Sequence, residues 1–446
     1  MCNTDYDKQQ AARAICAQLR QQGYLALLAG GCVRDMLLGI TPADYDIATS
    51  ATSQEVMAMF PKTFTVGAAF GVVRVVLPEG TFEVATFRKD GPYLDGRRPA
   101  SVQFCDAQED ARRRDFTINA LFWDPQTDEV RDYVGGKEDL RNGILRTVGN
   151  PRQRFQEDHL RLMRAVRFAA RLGYQIEADT WQAMQQFAHL IVHTSAERIR
   201  EELCKILTEG NAEQGLRLLD ASGLLMHVLP EISAMKSVEQ PPEFHPEGDV
   251  FEHTMLLLRH LDKPSITLAM GALLHDVGKP DTQTFEDRIR FNNHHKVGAE
   301  IAEAICQRLR FSRKETAHIV WLVDQHMRVA DIPLMKENRR KRMVQEIGFQ
   351  ELLELCRLDC LASHGDTQTI EWIRDYLDQL EPESEIIPPL LTGKDLIQLG
   401  FAPGPVFSEI LNYIEEEQLE GHIDNKASAI HAVLARWSPD RNSDVK

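Results

Sequence analysis

Two aspartates one residue apart, Asp44 and Asp46, sit in the stretch LAGGCVRDMLLGITPADYDIAT from Leu28 to Thr49. On a β-strand, residues i and i+2 share a face, so a strand over ADYDIAT would project both carboxylates together with Tyr45 behind them. Close carboxylates repel unless a cation sits between them, which makes the pair a candidate metal cradle, although a solvated loop explains a lone D-x-D equally well. Glu83 interrupts the apolar alternation of TFEVATFR. Burying that carboxylate unpaired is costly, so it either faces solvent or serves as a third ligand. Upstream, Gly30 and Gly31 join a short apolar strand to a helix, a passage that lets backbone N–H groups approach a phosphate.

A second group of donors lies downstream. His253 falls in FEHTMLLLRHL, His275 and Asp276 end an apolar helix in LAMGALLHDVGKP, and Asp359 lies in LELCRLDCLASHGD, with His294, His295 and His326 between them. An adjacent His-Asp pair with an upstream His and a downstream Asp offers nitrogen and oxygen donors to a divalent metal.

The elements that must position these residues change character along the chain. Up to Pro151, short apolar strands alternate with short helices, interrupted by a Gly/Pro-rich polar loop, DGPYLDGRRP. Beyond Pro151, RFQEDHLRLMRAVRFAARLG reads as one amphipathic helix, and helical pattern continues to about Met235. The fold class is therefore α+β: a mixed-sheet head (1–150), a helical neck and body (151–235), a histidine-bearing helical domain (245–370) and a helical tail (371–446).

The 446 residues exceed what one core supports. No apolar run is long enough to span a membrane, the first residues are polar, and the eight cysteines include no CxxC pair. These features point to a reduced, cytoplasmic protein without a membrane partner. The net charge of −16 opposes nucleic-acid binding overall, yet Arg88 to Arg171 carries 17 Lys/Arg against 14 Asp/Glu, and RRKR recurs at Arg339–Arg342. Such local patches can still hold RNA.

GGCVRD…DYD, EVATFR, RRDFTINAL, DYVGGKEDL, RFQEDHLRLMRAVRFA and SAERIREEL follow one another in this order. Together they resemble the bacterial class II tRNA nucleotidyltransferase/poly(A) polymerase family over roughly Leu28 to Leu203. The resemblance implies a polymerase-β-type nucleotidyltransferase head in which Asp44, Asp46 and Glu83 hold Mg²⁺ for two-metal phosphoryl transfer. It further implies that Gly30, Gly31 and Arg34 take the triphosphate, and that Arg112, Asp115 and Asn119 hold sugar and phosphates. Base selection falls to Asp158 and Arg161, and Arg164 also binds the nucleotide. On one helix Asp158 and Arg161 would be i,i+3 neighbours, the carboxylate accepting from the amine of cytosine or adenine and the guanidinium donating to the ring. The loop carrying Asp95, Arg97 and Arg98 resembles the flexible loop that CCA-adding members keep.

His253, His275, Asp276 and Asp359 resemble the H…HD…D positions of an HD domain, implying a phosphohydrolase that uses Ni²⁺, Mn²⁺ or Mg²⁺. The expected partners are tRNA, CTP and ATP, and the expected activity is CCA addition. The alternatives are a poly(A) or A-adding polymerase and an HD phosphohydrolase whose head only binds RNA.

Overall fold

The computed structural model describes residues 3–65, 71–93, 96, 99–241, 248–285, 288–380 and 388–438. They form two compact units: Met1–Val238 with Leu261–Met270 and Ala304–Arg313, and Glu239–His260 with Gly271–Glu303 and Lys314–Lys446.

The first unit opens with helix α1 (Asn3–Gln21), whose Ala12, Ile15, Cys16 and Leu19 recur at helical spacing and are buried. It packs on strand β1 (Ala26–Ala29), a fully buried run of four residues. Strands β2 (Asp46–Thr49), β3 (Thr63–Thr65), β4 (Val72–Leu77), β5 (Gly80–Thr86), β6 (Arg88–Asp90), β7 (Val102–Phe104), β8 (Phe122–Asp124) and β9 (Glu129–Arg131) follow. Seven of them make one sheet in the order β3-β4-β5-β2-β1-β8-β9, while β6 and β7 pair separately. All neighbours in the sheet are antiparallel except β2 and β5, which run parallel with Ile47 opposite Val84. That single parallel pairing sets the start of β2 beside Glu83. Leu27, Phe87 and Phe122 centre the core on one face, the two rings meeting edge-on at 5.9 Å.

Helices α2 (Gly31–Leu37), α3 (Ser53–Met59) and α4 (Ala107–Arg112) pack against the sheet, α5 (Gly136–Asn142) follows it in sequence, and α6 (Pro151–Glu157) and α7 (Arg161–Leu172) lead into the helical part. The two latter helices correct the expectation of one continuous helix. The chain leaves helical geometry at Asp158 (φ −144°, ψ 106°), whose carboxylate pairs with Arg198 at 2.9 Å. The adjacent His159 N–H donates to the Gly96 carbonyl at 3.3 Å. Partners remote in sequence thus outweigh local helix propensity at this point. Helix α7 is held by α9 (Ala196–Thr208) and α10 (Ala212–Ala221), α8 (Ala178–Phe187) lying between them in sequence.

In the second unit, helices Val250–Arg259 and Phe349–Ala362 pack together and carry His253 and Asp359. The tail helices Gly393–Gln398, Pro405–Leu419 and Lys426–Arg436 bury their own core of Leu396, Phe401, Ile410, Ile414 and Val433. Among the described residues, no helix is long and apolar enough to cross a membrane.

Candidate functional site

A cleft of about 490 Å³ in the first unit gathers residues from the start of the central strand β2, the turn after β1 and the α6–α7 junction. Of the positions singled out by sequence, Gly30, Gly31, Arg34, Asp46, Asp115, Asn119, Asp158, Arg161 and Arg164 line it. Asp44, Glu83 and Arg112 do not.

Gly30 caps α2 with φ +77°, the left-handed region where glycine is at home. A Cβ there would stand 2.9 Å from Arg114 Nη1, so the missing side chain is what lets that guanidinium lie against the turn. Arg34 is buried, donates to Asp35 Oδ1 at 2.8 Å through Nε, and donates to Asn119 Oδ1 at 2.6 Å through Nη1. Asp115 accepts from Arg164 Nε and Nη2 at 2.9 and 2.5 Å and from the Phe116 N–H at 2.8 Å. Burial pushes the Asp115 carboxyl up, but Arg164, Arg161 and the Phe116 N–H outweigh it and hold it at about 2.

A carboxyl whose folded value lies below its ordinary one stabilises the fold fully above about pH 4 and loses that contribution as pH falls toward 2. The urea midpoint of Asp115→Asn is therefore expected to lie below the wild type's at neutral pH, with the gap narrowing between pH 4 and 2. A gap that stays constant with pH would contradict the pairing.

Asp44 precedes β2 and is exposed, so only Asp46 belongs to the strand, in place of the expected ADYDIAT strand presenting both carboxylates. Glu83 is half-exposed and pairs at 2.7 Å with Arg74, directly opposite it on β4. The three carboxylates do not converge as one tight ligand group, yet they act on one another electrostatically. Asp46 is open to solvent on one side, but its carboxyl is pushed up to about 6 by desolvation, then by Glu83 and more weakly by Asp44, with Arg114 opposing. The neighbouring carboxylates and their hard oxygen donors fit a divalent cation.

Arg112 points to the surface and pairs with Glu109 at 2.7 Å. Its neighbours Arg113 and Arg114 line the cleft instead, held by the buried Asp110 at 2.7 and 3.0 Å. Arg167, Phe168 and Arg171 also line the cleft and were missed in the sequence. The recurrence of arginine at 161, 164, 167 and 171, one helical face, was the signal available for them. Asp158 and Arg161 both reach the cleft, from opposite sides of a helix break rather than as i,i+3 neighbours; Arg161 donates to Glu157 at 2.7 Å. Asp95, Arg97 and Arg98 lie outside the described residues.

The second unit holds the other cluster. His253 Nε2 stands 2.9 Å from Asp359 Oδ1, and His275 Nε2 stands 3.1 Å from Asp276 Oδ2. Around them, two sets of ligand atoms each fall within 4.8 Å of one another: His253, His275 and Asp359, and Asp276, His294 and His326. The sequence selected the first set and Asp276; the fold adds His294 and His326. Asp276 is held well below the usual carboxylate range because His275, Lys279 and His294 outweigh its desolvation. Burial pulls His294 down and takes His326 to about 3, so both rings are neutral near pH 7.

Three family models match successive stretches of the chain. The poly A polymerase head domain matches residues 26–146, the "probable RNA and SrmB-binding site of polymerase A" matches 173–236, and the HD domain matches 249–362. The class is a nucleotidyltransferase that carries an HD domain. A CCA-adding enzyme of Bacillus cytotoxicus is 33% identical over 421 residues, covering 94% of this chain and 96% of that protein. One from Geobacillus stearothermophilus is 49% identical over 216 residues, covering 48% of this chain and 53% of that protein. The crystal structure of the Bacillus stearothermophilus CCA-adding enzyme in complex with CTP superposes with a TM-score of 0.72 at 29% identity, covering 96% of this chain and 98% of that one. The chain belongs to the CCA-adding enzyme family.

Proposed function

We propose that this chain adds CMP, CMP and AMP to the 3′ end of tRNA, using CTP and ATP. One observation carries the reading: a single cleft joins Asp46 at the mouth of β2 to Asp158 and Arg161 at the α6–α7 junction, with arginines between them. Similarity to the CTP-bound relative supports it. In this reading the head spans 1–150, the neck and body 151–235, the HD domain 245–370 and the tail 371–446.

Asp46, with Asp44 and Glu83 beside it, would hold Mg²⁺, Glu83 leaving Arg74 to do so. Bound there, the metal would supply the charge that activates the 3′-hydroxyl and steadies the leaving pyrophosphate. The chain's own groups do the rest. Arg34, Arg113 and Arg114 bind phosphate oxygens beside the Gly30–Gly31 turn. Asp115 fixes Arg164, and Asn119 fixes Arg34, so these guanidiniums meet the nucleotide already oriented. Asp158 accepts from the exocyclic amine that cytosine and adenine share, and Arg161 donates to the ring. Uracil and guanine place a carbonyl oxygen where that amine would be, facing the carboxylate.

The test is an extension assay with tRNA lacking CCA, tRNA lacking only the final A, and an unstructured RNA, each with single and paired nucleotides. Completion of CCA from CTP and ATP on the tRNA substrates is expected. A-tracts on the unstructured RNA, or addition of A alone, would replace the proposal with the poly(A) or A-adding reading. In the same assay, Asp158→Ala is expected to narrow the preference for CTP and ATP over UTP and GTP by about tenfold or more. Unchanged selectivity would remove Asp158 from base reading.

For the HD domain, His253, His275, Asp276 and Asp359 would hold Ni²⁺, Mn²⁺ or Mg²⁺ and give phosphohydrolase activity. Cytoplasmic residence is supported by the cysteines, all of them free among the described residues.

A further inference from the structure

The basic run Arg339–Arg342 takes no part in the arginine cleft of the first unit; it lies on helix Glu337–Val344 of the second. Its four cations divide by direction. Arg340 turns toward the protein, donating to the carbonyls of Ile332, Pro333 and Met335 and lying over the Trp372 ring at 5.0 Å. Lys341 pairs back along its own helix with Glu337 at 3.5 Å. Arg339 and Arg342 point outward, each nearly half exposed, and meet the end of the tail helix Pro405–Leu419. Arg339 Nη1 stands 3.4 Å from Glu420 Oε1, and Arg342 pairs with Glu415. Lys336 adds a third cation, donating to Glu420 Oε2 and to the Glu420 carbonyl, both at 2.8 Å, where the tail helix ends. That Lys336 hydrogen bond holds the Glu420 carboxyl below its ordinary range.

This contact is made chiefly of charge. The tail buries its apolar side chains in its own core, which includes Ile410, Ile414 and Val433. Between the two helices lies a cleft of about 490 Å³, with Arg339 and Arg342 on one side and Glu415, Glu416, Glu417 and Glu420 on the other. Exposed ion pairs of this kind each contribute little stability and weaken with salt. The chain itself links the two helices, so the glutamates stay at high local concentration and cover the arginines all the same. A guanidinium satisfied by a carboxylate is equally matched to a phosphate oxygen, which it binds with the same fork of N–H donors.

We propose that Arg339 and Arg342 form an RNA-binding surface on the second unit, and that the tail glutamates occupy it as phosphate mimics until RNA displaces them. This rests on reading RNA as the substrate of the head and adds a covered surface to it. The two arginines are i,i+3 neighbours on one helix face, so both can meet a single phosphate backbone. Net charge over the whole chain is −16, which opposes RNA at most of the surface. Uncovering two cations therefore changes affinity where little else favours it. Displacement costs only the exposed ion pairs, and the phosphates that replace the glutamates release their own counterions.

Binding of tRNA to the full-length chain is measured by fluorescence anisotropy at about 50 and about 200 mM salt, beside extension with CTP and ATP. Glu415→Gln/Glu420→Gln is expected to bind tRNA about tenfold more tightly than the wild type at the lower salt, the gap closing at the higher. Adding Arg339→Gln/Arg342→Gln to that variant is expected to cancel the gain. The same two changes in the wild-type chain are expected to cost about threefold or less, because those arginines are already occupied. Glu409→Gln/Asp424→Asn removes the same charge from exposed tail positions that do not line the cleft. That control is expected to shift affinity by about twofold or less. An equal gain from the control, or a gain that survives loss of the two arginines, overturns the surface. Unchanged affinity of Glu415→Gln/Glu420→Gln overturns the cover, and the reading of the head stands if the wild type still extends tRNA. A wild type that neither binds nor extends tRNA overturns both.

Discussion

Asp46→Ala is expected to reduce incorporation of both CMP and AMP by on the order of 10³-fold or more, with substrate tRNA still bound. Asp46 is the one carboxylate of its group that both starts a sheet strand and lines the arginine cleft. Its carboxyl is raised to about 6, first by desolvation, then by Glu83 and more weakly by Asp44, with Arg114 opposing, and a bound divalent ion would relieve that strain on its charge. Removing it takes away the anchor for the metal rather than a nucleotide contact, so both nucleotides should suffer alike. Loss of one nucleotide alone, or incorporation within tenfold of wild type, would contradict that role. Metal titration distinguishes the cause: a lost anchor shifts the Mg²⁺ requirement upward, whereas a lost nucleotide contact raises KM for CTP at saturating Mg²⁺.

Asp110→Ala is expected to destabilise the chain by about 3 kcal/mol or more and to raise KM for both CTP and ATP. Asp110 is almost wholly buried; one of its oxygens accepts from Arg113 and the Arg88 N–H, and the other accepts from Arg114. Arg113 and Arg114 line the cleft, each about one-fifth exposed. Without the carboxylate, two largely buried guanidiniums lose their nearest counter-charge and their aim, though Arg113 keeps Asp90 at 3.8 Å. Urea unfolding gives the stability term, and steady-state kinetics give the other. Asp110→Asn keeps the volume and part of the hydrogen bonding and should fall between. A variant that is destabilised with unchanged KM would leave Asp110 a purely structural residue.

Similar reasoning separates what could be read along the chain from what could not. The family resemblance puts Arg112 in the site, and three consecutive arginines give no direction that separates it from Arg113 and Arg114. The direction comes from Asp110, three and four residues back on α4, which turns the latter two inward while Arg112 meets Glu109 outside. Glu83 looked unexplained in an apolar strand because its partner Arg74 becomes adjacent only through the β4–β5 register. The periodicity of QEDHLRLMRAV runs unbroken through Asp158. The break there depends on Arg198, forty residues on, and on Gly96, sixty-three residues before His159.

The sequence by itself determined the donor types, the carboxylates and histidines at their spacings, and the order of motifs that marks the family, because these are properties of residue identity and local spacing. Tertiary structure alone decided which charges share a cleft and which histidines meet Asp276. His294 and His326 are thirty-two residues apart, and Asp115 and Arg164 forty-nine. Contacts at such separations are fixed by the packing of whole helices and by sheet register, which no local pattern encodes.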